Sequence, residues 1–270
     1  MNLLTPAADA IVPGALLAWV ALVAAFTALW LVSLPLRNAS IVDMWWGPAF
    51  LLAGAVYLSV RPGVSPRALA VLSIVSAWAI RLAWHIGRRN VGHGEDPRYA
   101  AWRRANGASW WWFSWLKVFL LQATVAWVVS WPIGASLDAM PAFATAFDIV
   151  GLTIAVTGLA IEATADAELR RFKAGAPKDA VCDVGLWRYS RHPNYFGESV
   201  VWWGLYVVAA GVPGGGWTVV SPLLMTWLLL RVSGVTLLEA GLQDRKPAYA
   251  AYVRRTSAFV PWPPRRHGSA

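Results

Sequence analysis

Uncharged apolar runs close to twenty residues long recur along the 270-residue chain, separated by polar segments that carry nearly all of its charge. Twenty residues of α-helix rise about 30 Å, the thickness of a bilayer's hydrocarbon core. The pattern therefore predicts an all-α, polytopic integral membrane bundle of seven transmembrane helices. They fall at about 13–35, 44–60, 66–86, 113–131, 145–163, 196–212 and 216–232. The second run is short and carries Gly47-Pro48 near its start, which predicts a kinked or tilted helix. The first lacks a basic leader and is too long for a signal-peptide core, so it is expected to stay as a span. No internal repeat or linker divides the chain, and a single membrane domain over 1–270 is expected.

Charge then fixes the orientation, because cytoplasmic loops retain Lys and Arg. Of the 23 Lys and Arg, all but Arg61 and Arg67 lie in 36–43, 81–117, 164–192 and 231–270. Seven spans thus place the N-terminus outside and the C-terminus in the cytoplasm, whereas an even number strands one basic region on the wrong side. Composition agrees: 58% hydrophobic, 14% charged, 19 Trp, mean hydropathy +0.50. A net charge of +9 would point to nucleic acid in a soluble protein, but its one-sided placement reads as membrane topology instead. The lone Cys182 excludes an internal disulfide and a zinc site of several thiolates, and no metal is expected.

Ionisable groups at membrane depth are functional candidates, since burying each costs roughly 2.5–3.5 kcal/mol on insertion scales. Asp9, Asp138 and Asp148 fall outside or at the outer interface and read as solvated charges, while Glu95, Asp96, Asp179, Asp183 and Asp244 read as loop charges. The remaining acids, Asp43, Glu162, Asp166, Glu168, Glu198 and Glu239, stand at the cytoplasmic ends of spans. Glu162, Asp166, Arg170 and Lys173 follow spacings of four, four and three, which is one helical face. That face is either a solvated salt-bridge ladder or a polar wall for a charged ligand. Glu198 stands four residues after Asn194, and Glu239 eight after Arg231. A large polar, anionic molecule bound from the cytoplasm would satisfy acids, amide and guanidinium together.

The string from Gly185 to Glu198, GLWRYSRHPNYFGE, predicts a helix starting at Pro193, with Arg188, Tyr189, Arg191, His192 and Tyr195 around its first turn. Free N–H groups flanked by arginines form a phosphate site in physical terms. Gly197 permits close approach of a backbone or a flat ring. In the tail, Tyr249 and Tyr252 lie three apart before Arg254 and Arg255, and either grip a nucleotide or form an interfacial belt.

Taken together, RHPNYFGE, the preceding GLWRYS, the tail RRTSAFVPWPP, the segment NASIVDMWWGP and the loop EDPRY resemble the steroid 5α-reductase C-terminal superfamily, in its bacterial membrane branch. The resemblance spans about 38–264. It implies a bacterial inner-membrane enzyme that binds NADPH from the cytoplasm and reduces the conjugated carbon–carbon double bond of a steroid-like enone. Asn194 and Glu198 match the family's cofactor-contacting Asn and Glu. Asp166, Arg170, Lys173 and Arg231 match cofactor-facing positions, and Glu162 stands where animal members have Asn. Asp43 aligns with a substrate-holding Glu, and Trp78 stands where the family has a Tyr, leaving His85 as the nearest other donor.

Hydride transfer to the β-carbon of an enone builds negative charge on the carbonyl oxygen, which a donor in a dry site must meet. Asp43, desolvated by Trp45 and Trp46, is expected to hold its proton and act as that donor. Trp45, Trp46 and Trp78 would line the path of an apolar enone entering from the bilayer, with membrane lipids as neighbours. The alternatives are an S-adenosylmethionine-dependent membrane methyltransferase of the isoprenylcysteine or phospholipid type and a small transporter. The density of Arg and Lys favours a phosphorylated dinucleotide over the first, and the one-sided polar groups disfavour the second.

Overall fold

Every apolar run of the sequence is helical. A computed structural model describes residues 6–137, 142–177, 179–232, 235, 239 and 248–265, with side chains from Gly14 onward. Asp138 and Asp244 lie outside the described residues, as does the side chain of Asp9. Helix α1 spans Pro6–Leu36, α2 Ile41–Met44, α3 Trp46–Ser59, α4 Pro66–Asn90 and α5 Pro97–Asn106. A short 3-10 turn joins α5 to α6 (Trp110–Ser114), and a π-turn at Trp115–Leu120 joins that to α7 (Leu121–Val129) and α8 (Trp131–Ser136). Then follow α9 (Ala146–Gly175), α10 (Pro193–Ala210), α11 (Val220–Trp227) and the short α12 (Tyr249–Arg255). No strand is found among the described residues, only an isolated bridge between Ser190 and Ser257.

Four of these stretches are long and apolar enough to cross a membrane: Gly14–Leu36, Pro66–Asn90, Pro97–Ser136 and Ala146–Gly175. Trp46–Ser59 and Gly216–Val232 are shorter apolar helices. The expected kink in the second run is a break: α2 ends at Met44 and α3 begins at Trp46. The expected loop before the fourth run is instead a helix, since Asp96 caps α5 by accepting from the Arg98 N–H and Pro97 fills its first position.

The chain divides into two compact units, residues 1–148 with 208–221 and residues 149–207 with 222–270. In the first, tryptophans join α1 to the 110–131 stretch. Indole N–H groups of Trp19, Trp115, Trp30 and Trp127 donate to Thr124 Oγ1 (3.3 Å), Thr27 Oγ1 (3.1 Å), Trp111 O (2.9 Å) and Ala15 O (2.7 Å). In an apolar medium such polar contacts hold helices together where hydrophobicity cannot. Asp148, read as a solvated charge, is only 1% exposed and grips the equally buried Arg67 at 2.6 and 3.0 Å. Breaking a buried pair strands its partner. Asp148→Ala is therefore expected to lower stability by about 3–5 kcal/mol, read as a drop in the thermal midpoint of the detergent-solubilised protein.

In the second unit α9 and α10 cross at near backbone contact. A Cβ on Gly197 would stand 2.6 Å from the Glu162 amide nitrogen, and one on Gly158 2.5 Å from that of Val201. The close approach foreseen at Gly197 is thus made by a helix backbone. It brings the acids of α9 against the first turns of α10.

Candidate functional site

Polar side chains gather in two clusters, one in each unit. In the first unit the segment 38–40 clamps the start of α5. Asn38 Oδ1 accepts from the Ser40 N–H at 3.0 Å, and Ser40 Oγ accepts from the Asp96 N–H at 3.0 Å. Glu95 Oε1 accepts from the Ala39 N–H at 2.8 Å while Arg103 holds the same carboxylate at 2.8 and 3.0 Å. Glu95 and Asp96, read as loop charges, are therefore the parts that fix α5. One turn on, the Tyr99 hydroxyl donates to Asp43 Oδ1 at 2.8 Å, and Arg98 Nη2 lies 3.3 Å from Oδ2. Gln122 Nε2 donates to the Tyr99 oxygen at 3.2 Å.

Burial pushes the Asp43 carboxyl above its ordinary value, although the Tyr99 hydrogen bond and the Arg98 charge pull it back. Asp96 goes the other way, because hydrogen bonds from Arg98 outweigh its burial. Trp45 does not desolvate Asp43 as expected: its side chain is 46% exposed. Trp46, Phe50 and Trp78 run edge to face at 5.7 and 5.4 Å, with Trp78 buried in the core of this unit. His85 is half-buried on α4, two residues before Gly87, whose Cβ position faces Met44 Sδ of α2. The groups that meet Asp43 are Tyr99 and Arg98.

In the second unit Glu162 and Asp166 on α9 and Glu198 on α10 are buried, at 3%, 6% and 6% exposure. Arg170 and Lys173 further along α9 are exposed. A solvated ladder leaves all four in water, whereas here the upper half of that face is buried and only the lower half meets the surface. Asn194 Nδ2 donates to Asp166 Oδ1 at 3.2 Å, which fixes the amide, while its Oδ1 is buried with no hydrogen-bond partner among the described residues. Glu168 accepts from the Leu186 N–H at 2.8 Å and anchors the 3-10 turn Gly185–Arg188. Arg188 and Tyr189 are exposed there, and Arg231 is exposed in the π-turn after α11.

Arg191 and His192 both hold Glu239, Arg191 at 2.7 and 3.0 Å and His192 Nε2 at 3.0 Å. His192 also stacks on Tyr195, with centroids 5.6 Å apart. Burial raises the Glu239 carboxyl, but His192 and Arg191 outweigh it and bring it from 4.5 down to about 2. A depressed carboxyl contributes stability that is complete above its unfolded value and lost as pH falls through its folded one. Thermal stability in detergent is expected to fall between pH 4.5 and about 2, and Glu239→Gln to flatten that dependence at a lower plateau.

Tyr249 and Tyr252 are buried rather than open to stacking, and burial raises both phenols. The Tyr252 hydroxyl donates to the carbonyls of Trp187 and Ser190. Beyond α12 the chain folds back as a strap: the Arg191 and Trp262 N–H groups donate to Ser257 O (2.8 Å) and Tyr189 O (3.0 Å), and Ser190 Oγ to Phe259 O (2.7 Å). Between α12 and the strap lies a cleft of about 350 Å³ whose lining includes Arg191, Arg254, Arg255, Trp262 and Arg265 but no acid.

Tyr99, Arg98 and Gln122 were not legible as site residues, although Asp96-Pro97 is a helix-start signature that places Tyr99 in a first turn. Arg254, Trp262 and Arg265 depend on the strap.

The fold and clusters define an all-helical protein of transmembrane character with an acid–tyrosine pair in one unit and a carboxylate-rich amide site beside arginines in the other. Residues 29–256 match the family model DUF1295, described as a protein of unknown function, and the chain belongs to that family, which lies in the steroid 5α-reductase-like group. No curated protein and no solved structure matches the chain.

Proposed function

We infer that the protein is a membrane reductase that uses NADPH to saturate the conjugated double bond of a steroid-like enone. The observation that carries this reading is the Asn194 amide, pinned through its nitrogen to Asp166 and left with a buried, unpartnered oxygen. A buried acceptor without a donor costs roughly 1–3 kcal/mol, and a ligand N–H in that position repays it. The carboxamide N–H of a nicotinamide is such a donor, so the residues fit the cofactor. Glu162, Asp166 and Glu198 add buried carboxylates on the same two helices. The ammonium of S-adenosylmethionine would also suit them, but an acid-free cleft with four arginines in the same unit suits phosphates, which that molecule lacks.

Bound NADPH would supply a hydride to the β-carbon of the enone. Within the first unit, Asp43 and Tyr99 would supply the hydrogen-bond donor that an enone carbonyl needs. In the structure the Tyr99 hydroxyl donates to Asp43; once Asp43 carries a proton, that bond would reverse, with Asp43 donating to the Tyr99 oxygen. That frees the Tyr99 O–H for the carbonyl oxygen where charge develops, while Gln122 holds the phenol from its other side. The α-carbon takes its proton from water. We further propose seven spans, an outside N-terminus and a cytoplasmic cofactor site in the bacterial inner membrane. The six apolar stretches, together with α10 over the expected sixth span and the one-sided arginines, support this topology.

Saturable binding of NADPH and of S-adenosylmethionine to the detergent-purified protein separates the two enzymes. NADPH binding that S-adenosylmethionine does not displace is expected; the reverse result assigns a methyltransferase. Uptake by proteoliposomes with no need of reduced cofactor would instead assign a transporter.

A further inference from the structure

The cleft between α12 and the strap carries more positive charge than its surroundings neutralise. Four guanidinium groups line it, and two are already committed. Arg191 is paired with Glu239, and its Nη1 also donates to Val253 O (3.2 Å) and Thr256 O (2.8 Å), covering the carbonyls where α12 ends. Arg255 is paired with Asp183. Arg254 and Arg265 are exposed, and among the described residues neither has a carboxylate partner. The Arg265 N–H donates to Arg255 O at 2.9 Å, which closes the strap and brings both unpaired arginines to one cleft. The C-terminal end of a helix carries partial negative charge, so this one would repel an anion if Arg191 did not already cover its carbonyls. What remains is a site for an anion.

Trp262 lines the same cleft yet is 70% exposed, although an indole of that size is normally buried. It stands between Pro261 and Pro263, with Pro264 following, so fixed φ angles hold the backbone that presents it. The Trp262 N–H donates to Tyr189 O, which pins the strap at that residue. An exposed, pre-ordered indole beside two free guanidinium groups is a stacking platform next to a phosphate clamp. A bare phosphate would leave most of the volume empty, whereas about 350 Å³ lies in the range of small-molecule sites.

We propose that this cleft binds a phosphorylated purine nucleoside, with the base on Trp262 and a phosphate monoester held by Arg254 and Arg265. On the reductase reading, from which this assignment takes its physiological ligand, the nucleoside is the 2′-phosphoadenosine end of NADPH. The cleft is then what distinguishes NADPH from NADH. Arg191 connects it to the nicotinamide end, because it lines the cleft and stands three residues before Asn194.

The probe is 2′,5′-ADP, titrated calorimetrically against the full-length protein in detergent, beside NADPH, NADH and vesicles of phosphatidylglycerol. The double variant Arg254→Ala/Arg265→Ala removes two exposed side chains without touching the strap's hydrogen bonds. It is expected to weaken 2′,5′-ADP and NADPH by roughly ten- to a hundredfold and to leave NADH unchanged. Trp262→Ala is expected to weaken all three nucleotides, since each carries the base. Equal losses for NADPH and NADH in the double variant, or no loss for either, overturn the assignment. So does a variant that loses vesicle binding but keeps 2′,5′-ADP, which makes the site a lipid-headgroup clamp. If 2′,5′-ADP binds in an arginine-dependent way while NADPH does not, the cleft stands and the reductase reading falls. If NADPH binds while 2′,5′-ADP does not, the reductase reading stands and this one falls.

Discussion

Tyr99→Phe and Asp43→Asn are each expected to lower enone turnover by roughly 10²–10⁴-fold while leaving NADPH affinity unchanged. The phenylalanine keeps the ring that packs on Trp102, at 5.7 Å and 84°, so it removes the hydroxyl and little else. Asparagine keeps the shape of Asp43 and can still accept from Tyr99, but it has no proton to pass on. The two losses should not add, because both break one donor chain, and the double variant should resemble either single variant. Gln122→Ala, which removes only the support behind the phenol, should cost less. Single-turnover rates at saturating NADPH measure all four. Normal turnover in Tyr99→Phe would remove the hydroxyl from the mechanism, and normal turnover in Asp43→Asn would do the same for the acid.

Asn194→Leu is expected to raise the dissociation constant for NADPH by roughly ten- to a hundredfold. It replaces the unpartnered oxygen by a methyl group and leaves the Asp166 carboxylate without the amide that faces it. Asn194→Asp tests the same point with the opposite chemistry: it keeps an acceptor but sets a further carboxylate against Asp166, so affinity should fall and recover in part at low pH. Fluorescence quenching on NADPH binding reports both. A leucine variant with unaltered affinity would mean that the buried oxygen faces no ligand.

The helices were legible because lipid demands long uncharged runs, and each run written in the sequence is a helix in the structure. The acids of α9 and the Asn194 turn were legible for a related reason: an ionisable group at membrane depth stands out against an apolar background. Asp148 shows where that reasoning fails. Its burial depends on Arg67, 81 residues away, and a count of basic residues per loop treats that arginine as a surface charge. Tyr99 fails similarly, since it reaches Asp43 only because Glu95 and Asp96 bond to Ala39 and Ser40. The strap is the hardest case. Its backbone pairs with residues 189–191 through main-chain groups that no side-chain pattern announces, so nothing in the sequence singles out Trp262 and Arg265.

Transfer of hydride from NADPH to the β-carbon of an enone is the chemical step proposed for this protein. Its most direct test supplies NADPH deuterated at the transferring C4 position, together with a Δ4-3-ketosteroid, to the purified protein in lipid nanodiscs. Mass spectrometry and NMR of the product then locate the label. The expected product is a saturated ketone carrying one deuterium on the former β-carbon and an unlabelled proton on the α-carbon, formed in step with oxidation of NADPH. An unreduced substrate across a panel of enones despite bound NADPH, or a reduced product without deuterium on the β-carbon, would contradict it.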